Sequence, residues 1–162
     1  MIGGMTRFRT SITPVLTVRG AAAAVSFYER AFGAVEIHRN TYPDGRIVVE
    51  LAIGEARVRV ADEAPEAHNL GPETLGGTSV RLNLLVADPE ALAARAVEAG
   101  ATLVAPVVEQ SYGLRQGRLA DPFGHHWLIG TPLPGPTGDW ARSQAPGAGT
   151  RSVRRPPAGQ TR

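Results

Sequence analysis

Four short apolar segments of this sequence carry polar or charged side chains at alternating positions; they span residues 12–18, 46–53, 80–86 and 126–129. In the second segment, apolar residues alternate from Ile47 to Ile53, so Glu50 points to the opposite face of a predicted strand. The same alternation sets Arg81 and Asn83 apart from the apolar face of the third segment, and His126 apart from that of the fourth. A carboxylate and an imidazole can move protons, and a guanidinium binds anions.

Glu50 and His126 are therefore the candidate catalytic residues. The candidate ligand-binding residues share a place on these strand faces or in the loop 109–117; they are Thr13, Val15, Glu50, Arg81, Asn83, Tyr112, Arg115 and His126. Structural alternatives stay open. Glu50 could instead form a salt bridge with Arg81 or Arg46, His126 could be a hydrogen-bonded structural residue, and the loop could be a solvated hairpin. By strand alternation, Trp127 is expected in the core.

The composition excludes several kinds of chemistry. The 162 residues include no cysteine, which excludes disulfides, thiolate metal sites and a cysteine nucleophile. All 17 basic residues are arginine, which excludes a Schiff-base lysine and a phosphate loop ending in Gly-Lys-Ser/Thr. The net charge of +2 divides into +4 for residues 134–162, with five arginines and one acid, and −2 for the rest. We therefore expect no nucleic-acid partner for the folded part.

The sequence predicts one domain between two segments that lack a core. Residues 1–10 are predicted to be a flexible leader, and residues 132–162 a disordered tail rich in Pro, Gly and Arg. The domain spans residues 11–131 and consists of modules 11–67 and 78–131. No stretch reaches the roughly 18 apolar residues of a membrane span, and no apolar signal segment is present. We expect a cytoplasmic protein that does not contact a membrane.

An internal repeat defines the two modules. The segment Val18–Ala34 resembles Val86–Ala101, since each follows a short apolar segment, has a helical pattern and ends in Gly-Ala. The first helix is predicted over about Ala21–Phe32, and the second begins after an N-cap at Asp88 and ends at Gly100. Three predicted strands follow each helix. The pattern indicates an α+β fold of two β-α-β-β-β modules.

Two motifs, together with the repeat, resemble a known superfamily. They are Val-Ser-Phe-Tyr-Glu-Arg-Ala-Phe-Gly at 25–33 and Gly-Arg-Leu-Ala-Asp-Pro-Phe-Gly-His-His-Trp-Leu-Ile at 117–129. Over about Ser11–Thr131 the sequence resembles the vicinal oxygen chelate superfamily, which comprises glyoxalases, bleomycin resistance proteins and extradiol dioxygenases. The resemblance implies that the paired modules form a half-open mixed β-barrel around a cleft. It also implies a homodimer.

The resemblance further implies where a metal would bind. The ligand positions of metal-dependent members fall at Thr13, Glu50, Arg81 and Leu128, and of these residues only Glu50 is a usual metal ligand. The cationic side chain of Arg81 would repel a metal ion. We therefore expect no cofactor. The alternative is a divalent metal held by Glu50 and His126.

These observations predict a small-molecule-binding protein of the glyoxalase/bleomycin-resistance type that is metal-independent and sequesters a drug or metabolite. The alternative is a glyoxalase-like lyase or isomerase, or a dioxygenase, with a non-standard metal or acid–base site around Glu50 and His126. A third interpretation is a regulatory subunit that acts through its surface or its arginine-rich tail.

Overall fold

The computed structural model describes residues 10–134, so most of the predicted leader and tail lies outside the described residues. Within this range no helix is long and apolar enough to cross a membrane. A 3₁₀ helix, Pro65–Ala67, lies between the two halves of the chain. The other elements are β1 (Val15–Val18), α1 (Ala21–Phe32), β2 (Val35–Thr41), β3 (Ile47–Ile53), β4 (Ala56–Asp62), α2 (Pro72–Leu75), β5 (Arg81–Leu85), α3 (Pro89–Ala99), β6 (Thr102–Glu109), β7 (Leu114–Ala120) and β8 (His126–Pro132).

The strands form two four-stranded mixed sheets with the same topology. Sheet 1 has the order β1-β4-β3-β2, and sheet 2 has the order β5-β8-β7-β6. In each sheet the first strand pairs in parallel with the last, and the other neighbours pair antiparallel. The predicted α+β class is therefore confirmed. The half-open barrel stays a prediction.

Both sheets turn their inner faces toward the two long helices. Helix α1 packs on sheet 1, α3 packs on sheet 2, and the helices contact each other. Tyr28 and Phe32 on α1 also reach sheet 2, with ring centroids 5.5 and 4.7 Å from that of Trp127. The inner faces share one hydrophobic core. The face of each sheet that turns away from the helices is called its outer face below.

The alternation along β3 and the cap signal of α3 each predicted a feature that the structure confirms. The β3 residues Ile47, Val49, Leu51 and Ile53 are buried, as predicted for a strand with one face in the core. The Asp88 carboxylate accepts the backbone N–H of Ala91 at 2.9 Å, which caps α3 as predicted.

Two predicted strand boundaries were wrong. The first strand, predicted over the apolar segment 12–18, starts at Val15, and Ile12 is 93% exposed. Pro14 explains the difference, because proline has no N–H to donate and restricts the residue before it. Strand β7 begins at Leu114, inside the loop predicted over residues 109–117, because a tight turn joins β6 and β7: the Gln110 N–H donates to the Leu114 carbonyl oxygen at 2.8 Å.

Candidate functional site

The outer face of sheet 1 carries the predicted catalytic carboxylate. One row across the sheet aligns Val15 with Arg59, Arg59 with Glu50, and Glu50 with His38. The Arg59 Nε donates to Glu50 Oε2 at 3.2 Å. Glu50 thus pairs with Arg59, and the expected partners Arg81 and Arg46 were wrong. Because both side chains are partly exposed, this pair contributes little to stability, ~0–1 kcal/mol.

The sequence did contain a signal for Arg59. Strands β3 and β4 are joined by the two residues Gly54-Glu55, which set Ile53 opposite Ala56. A two-residue turn fixes the register of a hairpin, and counting back along both strands brings Glu50 opposite Arg59. Gly54 has φ 57°, a left-handed conformation that glycine adopts readily.

Four of the side chains on the outer face of sheet 2 are called the donor row below: Arg81, Asn83, His126 and Arg118. Arg81 lies beside His126, and Leu128 separates Asn83 from Arg118. The Arg118 Nε donates to His126 Nδ1 at 3.0 Å. Burial lowers the pKa of His126, and the neighbouring charges of Arg118 and Arg81 lower it further. The ring is therefore neutral at pH 7, with its proton on Nε2.

A buried amide holds Asn83 in place. Gln116 is 6% exposed, and its Nε2 donates to Asn83 Oδ1 at 3.0 Å. The Tyr112 hydroxyl donates to Gln116 Oε1 at 2.9 Å. Gln116 lies opposite Gly130, where an added Cβ would stand 3.1 Å from that of Gln116, so the glycine leaves room for the amide. Tyr112, predicted as a ligand-binding residue, thus supports Gln116, which sequence reasoning missed.

A cavity of about 560 Å³ lies along the edge of sheet 2 formed by β5. Thr13, Arg81 and Asn83, all predicted to bind ligand, line it together. Arg57 and Glu55 add charges that sequence reasoning missed. The remaining wall is mostly apolar and comprises Ile12, Pro14, Ile53, Ala56, Val58, Val80, Leu82, Leu84 and Trp127, along with Ser11. Its size and lining are those of a small-molecule site.

Two guanidinium groups in this cavity are unpaired. Neither Arg57 nor Arg81 has a hydrogen-bond or ion-pair partner within residues 10–134. An arginine that lines an apolar cavity without a protein partner is available to an external anion.

Three other predicted site residues, Val15, Glu50 and Arg115, lie apart from this cavity. Val15 and Glu50 are on sheet 1, and Glu50 makes no contact with His126, whose partner is Arg118. Arg115 forms a salt bridge with Glu90 in the first turn of α3. It therefore turns toward the helix side of sheet 2, because Gln116, next to it in the strand, occupies the outer face.

A buried carboxylate of a different kind lies on the core side of sheet 2, in the turn between β7 and β8. Asp121 is 5% exposed and accepts hydrogen bonds from the Tyr28 hydroxyl at 2.6 Å and from Trp127 Nε1 at 2.9 Å. The backbone N–H groups of Phe123 and His125 also donate to it. Burial raises the pKa of Tyr28 well above its usual range, and the Asp121 charge adds to this. Trp127 is a core residue, as expected.

The residues present do not fit a divalent metal. Three or four nitrogen, oxygen or thiolate ligands are usual, and no group of three His, Cys, Asp or Glu side chains that could hold an ion occurs within residues 10–134. Of the four positions that the resemblance marks, Thr13 is not a usual metal ligand, Glu50 is engaged by Arg59, and Arg81 is a cation. The Leu128 side chain offers no donor atom.

Comparison with known proteins identifies the family. The sequence model of the Glyoxalase/Bleomycin resistance protein/Dioxygenase superfamily matches residues 11–129. The uncharacterized protein Rv0887c of Mycobacterium tuberculosis is 42% identical over 127 residues, which cover 76% of this chain and 75% of that protein. The uncharacterized protein At5g48480 of Arabidopsis thaliana is 32% identical over 114 residues, 65% of this chain and 68% of that protein.

Solved structures agree with this result. The crystal structure of the Arabidopsis thaliana At5g48480 gene product superposes with a TM-score of 0.58 at 28% identity, covering 75% of this chain and 98% of that one. A glyoxalase/bleomycin resistance protein/dioxygenase family enzyme from Burkholderia phytofirmans superposes with a TM-score of 0.60 at 26% identity, covering 76% and 100%. The chain belongs to the glyoxalase/bleomycin resistance protein/dioxygenase superfamily.

Proposed function

We propose that this protein binds a small organic molecule, without a metal, in the cavity beside β5 and on the adjoining donor row. The main support for the proposal is that one cavity of about 560 Å³ combines an apolar wall with unpaired polar groups. Small-molecule sites combine enclosure by apolar side chains with a few placed polar groups. Sequestration of a drug or metabolite is the activity that follows from binding alone.

The catalytic alternative has less support within one chain. Acid–base chemistry by Glu50 and His126 needs both groups within reach of one substrate. Each is engaged by an arginine instead, Glu50 by Arg59 and His126 by Arg118, and they lie on different sheets. Only a second chain that set its sheet 1 against this sheet 2 would bring them together. The homodimer remains a prediction, which sedimentation at several concentrations would test. The half-open barrel and the cytoplasmic location also remain predictions.

A thermal-shift screen on chelator-treated protein tests the proposal. The panel contains cationic, neutral and anionic aromatic molecules, and a ligand of the folded state raises the melting temperature. The variant Val80→Trp fills the cavity from an exposed position, at 63% exposure. Val35→Trp, at 60% exposure on β2, is the matched control. We expect shifts that Val80→Trp abolishes and Val35→Trp retains. A panel with no shift, or shifts insensitive to Val80→Trp, would contradict the proposal.

A further inference from the structure

The hydrogen bonds around the donor row engage its acceptor atoms and leave N–H donors free. Gln116 occupies Asn83 Oδ1, so the Asn83 amide presents its NH₂ group. Arg118 occupies His126 Nδ1, so the neutral ring presents Nε2–H. Arg81 has donors only, and none of them is used within the part of the chain that the structure describes. The row therefore offers three kinds of free N–H group, while its two acceptor atoms, Asn83 Oδ1 and His126 Nδ1, are each already engaged by a protein donor.

The charges around the cavity also favour a negatively charged ligand. Arg57 and Arg81 line it, and Glu55 is the one carboxylate among the lining residues. Glu50, the acidic residue at the centre of the outer face of sheet 1, is neutralised by Arg59. An unpaired excess of positive charge beside apolar walls favours a ligand that carries negative charge and an apolar body.

We propose that the donor row binds the carboxylate of an organic acid whose apolar part occupies the cavity beside β5. This inference rests on the proposed function and names its ligand class. Arg81 supplies the charge, and Asn83 and His126 supply directed N–H donors. The chain from Tyr112 through Gln116 to Asn83 acts as a positioning device, because it fixes which end of the Asn83 amide is presented.

Two matched probes of equal shape test the ligand class. Isothermal titration compares 1-naphthoate, an anion, with 1-naphthamide, its neutral analogue, and inorganic phosphate serves as an anion without an apolar part. We expect 1-naphthoate to bind at least about tenfold more tightly than 1-naphthamide, since hydrogen bonds to charged groups are the stronger kind. Phosphate at the same concentration should not displace it.

Three variants test which residues bind the carboxylate of 1-naphthoate. Arg81→Gln should weaken 1-naphthoate binding by about tenfold or more and leave 1-naphthamide binding unchanged. Asn83→Asp keeps the acceptor that Gln116 uses and replaces the free donor by a charged acceptor, so it should weaken 1-naphthoate binding as strongly. Arg39→Gln removes one positive charge from β2 of sheet 1 and should change neither affinity. Thermal melts verify that each variant is folded.

The outcomes separate the inference from the proposed function. Equal affinity for the two naphthyl probes, or an Arg81→Gln variant that binds 1-naphthoate as well as the wild type, would overturn the carboxylate inference and leave a small-molecule site. Displacement by phosphate at equal concentration would also overturn it, because the row would then bind anions without regard to the apolar part. Failure of every probe and of the whole thermal-shift panel would contradict both.

Discussion

The two faces of sheet 2 use polar side chains in opposite ways. On the inner face, the Asp121 carboxylate receives four hydrogen bonds and is almost completely buried. On the outer face, Arg81 is exposed and has no partner among the described residues. A polar group whose hydrogen bonds are all satisfied inside the protein contributes to folding. A group held in place with free donors is available to a ligand. We therefore expect substitutions on the inner face to change stability and those on the outer face to change binding.

The largest effect is expected for Asp121→Asn. The variant loses the charge that the Tyr28 hydroxyl and Trp127 Nε1 face. Its amide has a single oxygen, which cannot serve both these side chains and the backbone N–H groups of Phe123 and His125. We expect the free energy of unfolding to fall by about 3 kcal/mol, the loss of one or two hydrogen bonds to a buried charge. Urea unfolding measures it.

A control of the same chemical change exists in the same module. Asp88→Asn replaces the N-cap of α3, and asparagine caps helices as well as aspartate does. Its unfolding curve should match that of the wild type. Equal losses of unfolding free energy in the two variants would contradict the stabilising role assigned to Asp121.

Two tyrosine variants compare the two faces of sheet 2, and their expected losses of stability are smaller than that of Asp121→Asn. Tyr28→Phe removes a buried hydroxyl and leaves Asp121 with one donor fewer, so we expect a loss of about 1–2 kcal/mol in urea unfolding. Tyr112→Phe removes a hydroxyl whose residue is 47% exposed, and water can replace it at Gln116, so we expect a loss below about 1 kcal/mol. A larger loss of stability in Tyr112→Phe than in Tyr28→Phe would contradict the assignment of the stabilising role to the inner face.

The smallest effect is expected for the pH dependence of stability. The pKa of His126 is lower in the folded protein than the ordinary value of 6.5, chiefly because of burial. Below pH 6.5 the unfolded chain therefore binds more protons at this residue than the folded one does, and stability falls as the pH falls. His126→Gln should lose less stability than the wild type between pH 7.5 and pH 5.5 in urea unfolding. A steeper loss in the variant would mean that folding raises the pKa of His126, which would contradict the account.

Local signals predicted much of this architecture. The Asp88 cap and the alternation around Glu50 depend on neighbours along the chain, and each was identified correctly. The register that pairs Glu50 with Arg59 was also readable from the short β3–β4 turn. The bonds of Asp121 to Tyr28 and of Gln116 to Asn83 join residues far apart in sequence. No periodicity encodes such contacts, because they depend on how the two modules and the strands pack in space.

Metal content is the most direct test of the central claim, that this protein binds its ligand without a metal. Purified protein without a tag is incubated with Zn, Ni, Mn and Fe(II), desalted and analysed for metal per chain. We predict substoichiometric retention, and the same 1-naphthoate affinity before and after chelator treatment. Retention of about one metal ion per chain that Glu50→Ala or His126→Ala abolishes would contradict the account.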